Sequence, residues 1–153
     1  MELSLSLFLL ALTLALAFIS IGGGLYEFLV IDPFWPRRPD IIQPHRGGIL
    51  RRRFWIPAHV SFELLLIATL VVFWSHIEVR TWLLVGLASH ILMRVWSFLY
   101  FIPRALRFEQ AEREETSEGA ARAWTRRSRL RFPLDLVTCT AMTAAFVTAV
   151  RLA

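Results

Sequence analysis

Lysine is absent from this sequence: all 17 basic residues are arginine. Cysteine is nearly absent too, because Cys139 stands alone, which excludes an intrachain disulfide. No Arg or Lys precedes the first apolar run, where "MELS" carries only Glu2. A secretory signal peptide needs a positive leader and a short apolar core, so the segment is expected to stay as a span. Charge is missing from long stretches elsewhere. The run "LLLIATLVVFW" has none, and no DNA- or RNA-binding motif accompanies the arginines. A nucleic-acid partner is therefore not expected, despite a net charge of +5 and a pI near 10.9.

What is abundant is apolar. Hydrophobic residues make up 56% of the chain and the mean hydropathy is +0.54, too high for an ordinary soluble domain. Four apolar runs, 3–26, 54–75, 81–102 and 132–150, carry this excess. Each is long enough as a helix to cross a hydrocarbon core of ~30 Å. The expected fold is all-α: one integral membrane four-helix bundle over 1–153. Its spans run from about 3 to 31, 54 to 76, 80 to 102 and 132 to 151.

Fourteen of the 17 arginines fall between positions 37 and 53 or between 104 and 131. With four spans these two segments share one side, and the other side carries only Arg80 and Arg151. This is the positive-inside pattern. It puts both loops in the cytoplasm and both termini on the non-cytoplasmic side of the cell (inner) membrane, with arginines touching anionic lipids.

The first loop, "DPFWPRRPDIIQPHRGGILRRR", holds four prolines and a Gly-Gly pair. It is expected to be irregular, with Phe34 and Trp35 forming a lid at the interface. Asp32-Pro33 ends span one, and Pro57 opens span two in its first turn. Trp74 and Trp82 suit an aromatic belt at the opposite end. The second loop reads as charged helix broken near 117–119, with Glu109/Arg113 and Glu118/Arg122 as supporting pairs.

Ionisable residues inside spans are costly and count as candidate sites. There are six: Glu27, His59, Glu63, His90, Arg94 and Asp135. At ~1.5 Å per residue, Glu63 and Arg94 each lie about 12 Å deep from the loop side. His59 and Glu27 lie about 6 Å deep, Asp135 about 5 Å and His90 about 18 Å. His59/Glu63 and His90/Arg94 are each spaced i,i+4, on one helix face. Ser20, Gly23 and Gly24 extend Glu27 into a small or polar stripe. Gly86 and Ser97 do so for His90/Arg94, and Thr138 and Cys139 for Asp135. The expectation is a polar pocket at the bundle centre, lined by Glu27, His90, Trp55 and Asp135.

Counted with neutral histidines, the cluster carries about −2, which calls for compensation. Protonation, flanking Arg104 and Arg131, or a divalent metal each supply it. His59, Glu63 and His90 are the candidate metal ligands. The paired Glu-x-x-His of di-iron bundles and the His-Glu-x-x-His of zinc proteases are both absent. Every candidate also has a blander use. Glu63/Arg94 suits an ion pair fixing helix register, Glu27 and Asp135 suit pairing with loop arginines, and His90 suits a hydrogen bond across the bundle.

The stretch "AWTRRSRLRFPLDLVTCTAMTAA" resembles the anthrone oxygenase-like family of small four-span membrane proteins. That family shows Trp, three residues, Asn, two residues, then Arg before its last span. Trp124 and Arg131 match, and Ser128 stands at the Asn position. "GLYEFLVIDPFW" is similar to the family's Gly/aromatic stretch running into proline. The resemblance implies a four-helix fold and oxidation of a polycyclic phenolic substrate without a known cofactor.

Three functions are weighed. The first is a membrane oxygenase or oxidoreductase on a lipophilic aromatic or quinone-like molecule. In it His59 is general base or metal ligand, Glu63 orients it and Arg94 stabilises developing negative charge. The second is a non-catalytic subunit assembling a larger membrane complex or a homo-oligomer. The third, a transporter, is disfavoured because four spans make a small pore unless the protein oligomerises, and because no midplane helix is broken other than at Gly22–Gly24.

Overall fold

The computed structural model describes residues 2–111 and 117–152. Its elements are α1 (Glu2–Tyr26), α2 (Arg52–Val72), α3 (Ile77–Trp96), α4 (Ile102–Gln110), α5 (Glu118–Ser128) and α6 (Phe132–Arg151). No strand occurs among the described residues. Helix α3 runs into α4, and α5 into α6, so the chain forms four rods. All four are long and apolar enough to cross a membrane: Ser4–Ile31, Arg52–Val72, Ile77–Gln110 and Glu118–Arg151. The last two reach beyond the apolar runs that mark them in the sequence.

Two rods contain a widened turn, Glu27–Ile31 and Ser97–Phe101. In each, the backbone N–H of the next residue reaches five positions back, Asp32 to the Glu27 carbonyl at 2.8 Å and Ile102 to Ser97. A proline follows both times, Pro33 and Pro103. Its ring would strike the carbonyl four residues back and it has no N–H to offer, so the helix opens to make room. Asp32-Pro33 thus ends span one through a widened turn, while Pro103 is carried inside a continuing rod. Pro57 also departs from expectation. Helix α2 begins at Arg52, which places Pro57 in its second turn.

α1 packs against α2 and α6, and α6 against α3. α2 and α3 touch much less, although only a short turn at 73–76 joins them. The main core holds Leu10, Phe62, Leu66, Leu83 and Met142, all essentially fully buried. Thr13 and Thr69 share a buried 2.8 Å hydrogen bond between α1 and α2. At the turn, Trp74 and Trp82 face outward as the aromatic-belt reading expects.

A second core closes the arginine-rich end. Trp35 (0% exposed) stands among Phe101, Phe108 and Trp124, with ring centroids 5.3 Å from Phe108 and 5.8 Å from Trp124. The lid expectation is therefore half right: Phe34 is exposed, but Trp35 is the loop's anchor. Burying such a ring contributes roughly 1.5–3 kcal/mol. Gln43, also fully buried, donates from Nε2 to the carbonyls of Phe108 and Ala111 at 3.0 and 2.8 Å. Those are carbonyls at the end of α4 that lack a helical partner, so the first loop caps it. The second loop breaks earlier than expected. α4 stops at Gln110, and Ser117 accepts from the Ala120 N–H to start α5. Arg122 Nε donates to Glu118 at 2.8 Å as expected. Arg113 of the Glu109/Arg113 pair lies outside the described residues.

Candidate functional site

The seam between α2 and α3 holds four of the six candidates. Arg94 Nε lies 2.7 Å from Glu63 Oε1, with its N–H off the line between them, so the contact is an ion pair rather than a well-aimed hydrogen bond. His90 Nε2 sits 3.2 Å from the same oxygen. Matched depth on two helices does bring Glu63 and Arg94 together. Arg94 also lies over the Phe98 ring, 4.5 Å from its centroid. The Phe62 ring meets His90 edge-on at 4.8 Å, closing the inner side.

His59 lies one turn towards the loops. Its ring stacks on Trp55, 5.3 Å between centroids and 20° between planes, and lies 5.7 Å from the His90 ring. Nδ1 of His59 is buried and has no hydrogen-bond partner among the described residues. This corrects one expected role: Glu63 does not orient His59 but holds His90 and Arg94, while Trp55 sets the plane of the His59 ring.

Trp55 also leads out of the seam. Its indole N–H donates to Glu27 Oε1 at 2.7 Å. Glu27 faces Arg51 at 3.9 Å, and Arg51 faces Glu109 at 3.3 Å while its guanidinium lies over Trp124. Space for Trp55 and Phe54 comes from α1. A side chain on Gly23 would overlap the Phe54 ring, and one on Gly24 would touch Trp55. Beside this group Asp32 is buried and accepts from the Trp35 indole at 3.0 Å. Burial pushes its carboxyl up to about 6, the Trp35 hydrogen bond opposes the rise and the Glu27 charge adds to it.

Asp135 is not part of the seam. It lies in the first turn of α6, four residues after Arg131, and its side chain makes no hydrogen bond or ion pair among the described residues. The expected polar stripe on α3 packs against α6 and the residues leading into it rather than lining an open space. Met142 occupies the space at Gly86, Ser89 donates to the Leu134 carbonyl at 2.8 Å, and Ser97 accepts from Arg131 at 2.9 Å. Two clefts lie elsewhere. One of about 330 Å³ separates α4 from α5, and one of about 220 Å³ lies outside α3 and α6. The charge sum also changes. Glu63 pairs with Arg94, Glu27 shares Arg51 with Glu109, and Asp135 lies apart, four residues after Arg131, so the acids are spread over three places rather than pooled in one. Among the described residues no three His, Cys, Asp or Glu side chains converge as a metal-holding group.

Arg51 is the residue that sequence reasoning missed. It is 8% exposed and joins the two acids of the loop-end group. The signal was available: Arg51, Trp55, His59 and Glu63 follow one another at spacing four, a single stripe down α2. Starting the span at Phe54 cut the stripe short.

The residues that carry the family resemblance act together on the widened turn of α3. Trp124 Nε1 donates to the Phe101 carbonyl at 3.2 Å, and Arg131 reaches Ser97 Oγ while lying over the Phe101 ring at 4.3 Å. Ser128 holds Arg131 in place, its Oγ accepting at 2.7 Å. Trp124 and Arg131 thus grip the first and last residues of that turn. Comparison with protein-family models, with curated proteins and with solved structures returns no match for this chain.

Proposed function

We propose that this chain is a membrane-embedded enzyme of the oxygenase or oxidoreductase type, acting on a lipophilic aromatic substrate with an acidic hydroxyl, such as a polycyclic phenol or a reduced quinone. The observation that carries the reading is the unpartnered, buried Nδ1 of His59 beside the Glu63–Arg94 pair. A buried acceptor without a donor is costly, and a substrate O–H would satisfy it. His59 takes the hydroxyl proton and Arg94 stabilises the resulting oxyanion, the electron-rich form that dioxygen oxidises. Glu63 keeps Arg94 and His90 in register. Trp55, stacked on His59, offers an aromatic wall.

The test is turnover of a panel of polycyclic phenols by purified protein, followed by oxygen uptake. His59→Gln is expected to lower the rate by about 10²–10⁴, the usual worth of a general base. Folded His59→Gln and Arg94→Gln proteins with undiminished rates on every accepted substrate would sink the reading.

A second reading, a non-catalytic subunit of a larger membrane complex, is favoured by the double engagement of Glu63 by His90 and Arg94 across the seam. It expects co-purification with other membrane subunits in mild detergent, or a homo-oligomer, and His59→Gln would leave that assembly intact. For placement in the membrane we adopt the inner membrane with both termini on the non-cytoplasmic side. The arginines at the loop end support this. Single cysteines placed at 47 and 76 in a Cys139→Ser background, labelled from one side in intact cells, check it.

A further inference from the structure

A cleft of about 330 Å³ lies between α4 and α5, and the seam residues do not line it. Tyr100, Arg104 and Arg107 face it from the α3–α4 rod, at positions i, i+4 and i+7. Ala120, Ala123 and Arg127 face it from α5, again along one helical face. The two alanines leave the room, and Trp124 forms part of the wall. Its surface is thus apolar with three guanidinium groups around it.

Arg104, Arg107 and Arg127 have no carboxylate within ion-pair distance among the described residues, whereas Arg37, Arg51 and Arg122 on the neighbouring surfaces each have one. Arg104 lies over the Tyr100 ring at 3.8 Å and donates from Nη1 to the Tyr100 carbonyl at 3.1 Å, and Arg127 donates from Nη1 to the Tyr100 hydroxyl, which leaves the other N–H groups of both guanidiniums for a ligand. An arginine stacked on a ring keeps its edge N–H groups available, the arrangement that grips phosphate oxygens in pairs. The Arg107 side chain makes no hydrogen bond or ion pair among the described residues, although its carbonyl accepts from the Ala111 N–H at 2.9 Å. Three like charges gathered at one cleft repel one another unless an anion lies between them.

The level in the fold narrows the anion. Tyr100 belongs to the widened turn where the apolar part of the third rod ends, and Phe98 and Leu99 just before it are exposed. A ligand held by the arginines therefore has an outward-facing apolar surface next to it.

We propose that the α4–α5 cleft is a binding site for a phosphate group, held by Arg104, Arg107 and Arg127, with a membrane phospholipid headgroup or free phosphate as its source. The site rests on the four-span reading for its lipid source and not on any catalytic role of His59.

The test is native mass spectrometry of the full chain in mild detergent, offered phosphatidylglycerol, phosphatidylcholine or inorganic phosphate. Wild type is expected to retain phosphatidylglycerol well above phosphatidylcholine. Arg107→Gln/Arg127→Gln is expected to lower that retention about tenfold or more, while Arg52→Gln/Arg53→Gln, which removes the same charge from another part of the loop end, changes it less than about twofold. Equal losses in the two double variants would mean diffuse attraction and overturn the site, as would no loss in either. Retention of inorganic phosphate alone, lost in Arg107→Gln/Arg127→Gln, makes free phosphate the ligand. Retention of lipid only makes the headgroup and chain a joint ligand. Should Arg127→Gln perturb Tyr100 and the fold, Arg107→Gln alone decides, since it removes no side-chain hydrogen bond or ion pair among the described residues. A several-fold loss is expected, and none would overturn the proposal.

Discussion

Trp55 lies flat against His59 and gives its single N–H to Glu27, 2.7 Å away on another helix. One side chain therefore ties the loop-end ion group to the seam between α2 and α3. Trp55→Phe keeps the ring and removes the donor, and it is expected to lower stability by about 1 kcal/mol. Trp55→Ala also uncovers the imidazole. The rate of His59 modification by diethyl pyrocarbonate should rise in the alanine variant and stay near wild type in the phenylalanine one.

Glu63 and Arg94 are coupled. Arg94→Met leaves Glu63 with His90 alone and is expected to cost about 2 kcal/mol, less than for a deeply buried pair because Glu63 is 36% exposed. Glu63→Gln in the same protein should restore most of the loss. A double-mutant cycle on thermal melting checks it, and simple additivity would mean that the pair holds nothing together.

Asp32 gives the loop end a pH dependence. Its carboxyl titrates near 6 in the folded chain against 3.8 as the ordinary value, so between those values the native state holds the proton more tightly. Stability from this group is therefore greatest below about pH 4, falls as pH rises to about 6, and is level above. Asp32→Asn keeps an acceptor for the Trp35 indole and removes the titration. Its melting temperature should lack that fall relative to wild type, read as the difference between the two curves.

Two glycine substitutions should act in opposite directions. A side chain on Gly22 meets nothing within 4 Å, so Gly22→Ala is expected to stabilise α1 by about 0.5–1 kcal/mol through helix propensity. A side chain on Gly48 would overlap the Asp40 carbonyl, and Gly47 beside it holds φ at +82°. Gly48→Ala is expected to loosen the first loop, seen as faster proteolysis between 37 and 53.

The four rods were legible because uninterrupted apolar runs are a strong signal, and the Glu63–Arg94 meeting was legible because depth can be counted along a helix. Asp135 misled for a related reason. Depth says how far in a residue lies but not which neighbour its helix face meets, and α6 turns Thr138 and Met142 inward while Asp135 stays by its own Arg131. Trp35 was misplaced because an aromatic next to prolines reads as interfacial. Its partners Phe108 and Trp124 are more than seventy positions away, and no local pattern links them. Arg51 was hidden by the boundary drawn at Phe54, since a charged residue looks like loop until the helix is known to begin at Arg52.

The first loop has a consequence for the order of synthesis. Trp35 and Gln43 find Phe101, Phe108, Ala111 and Trp124 as their partners, all in the second half of the chain. While the ribosome has delivered only the first two rods, the loop between them has an unhoused indole and an unspent amide. It reaches its final shape only after α4 and α5 have emerged, so a chain truncated after the second rod would present that segment open to solvent and proteases.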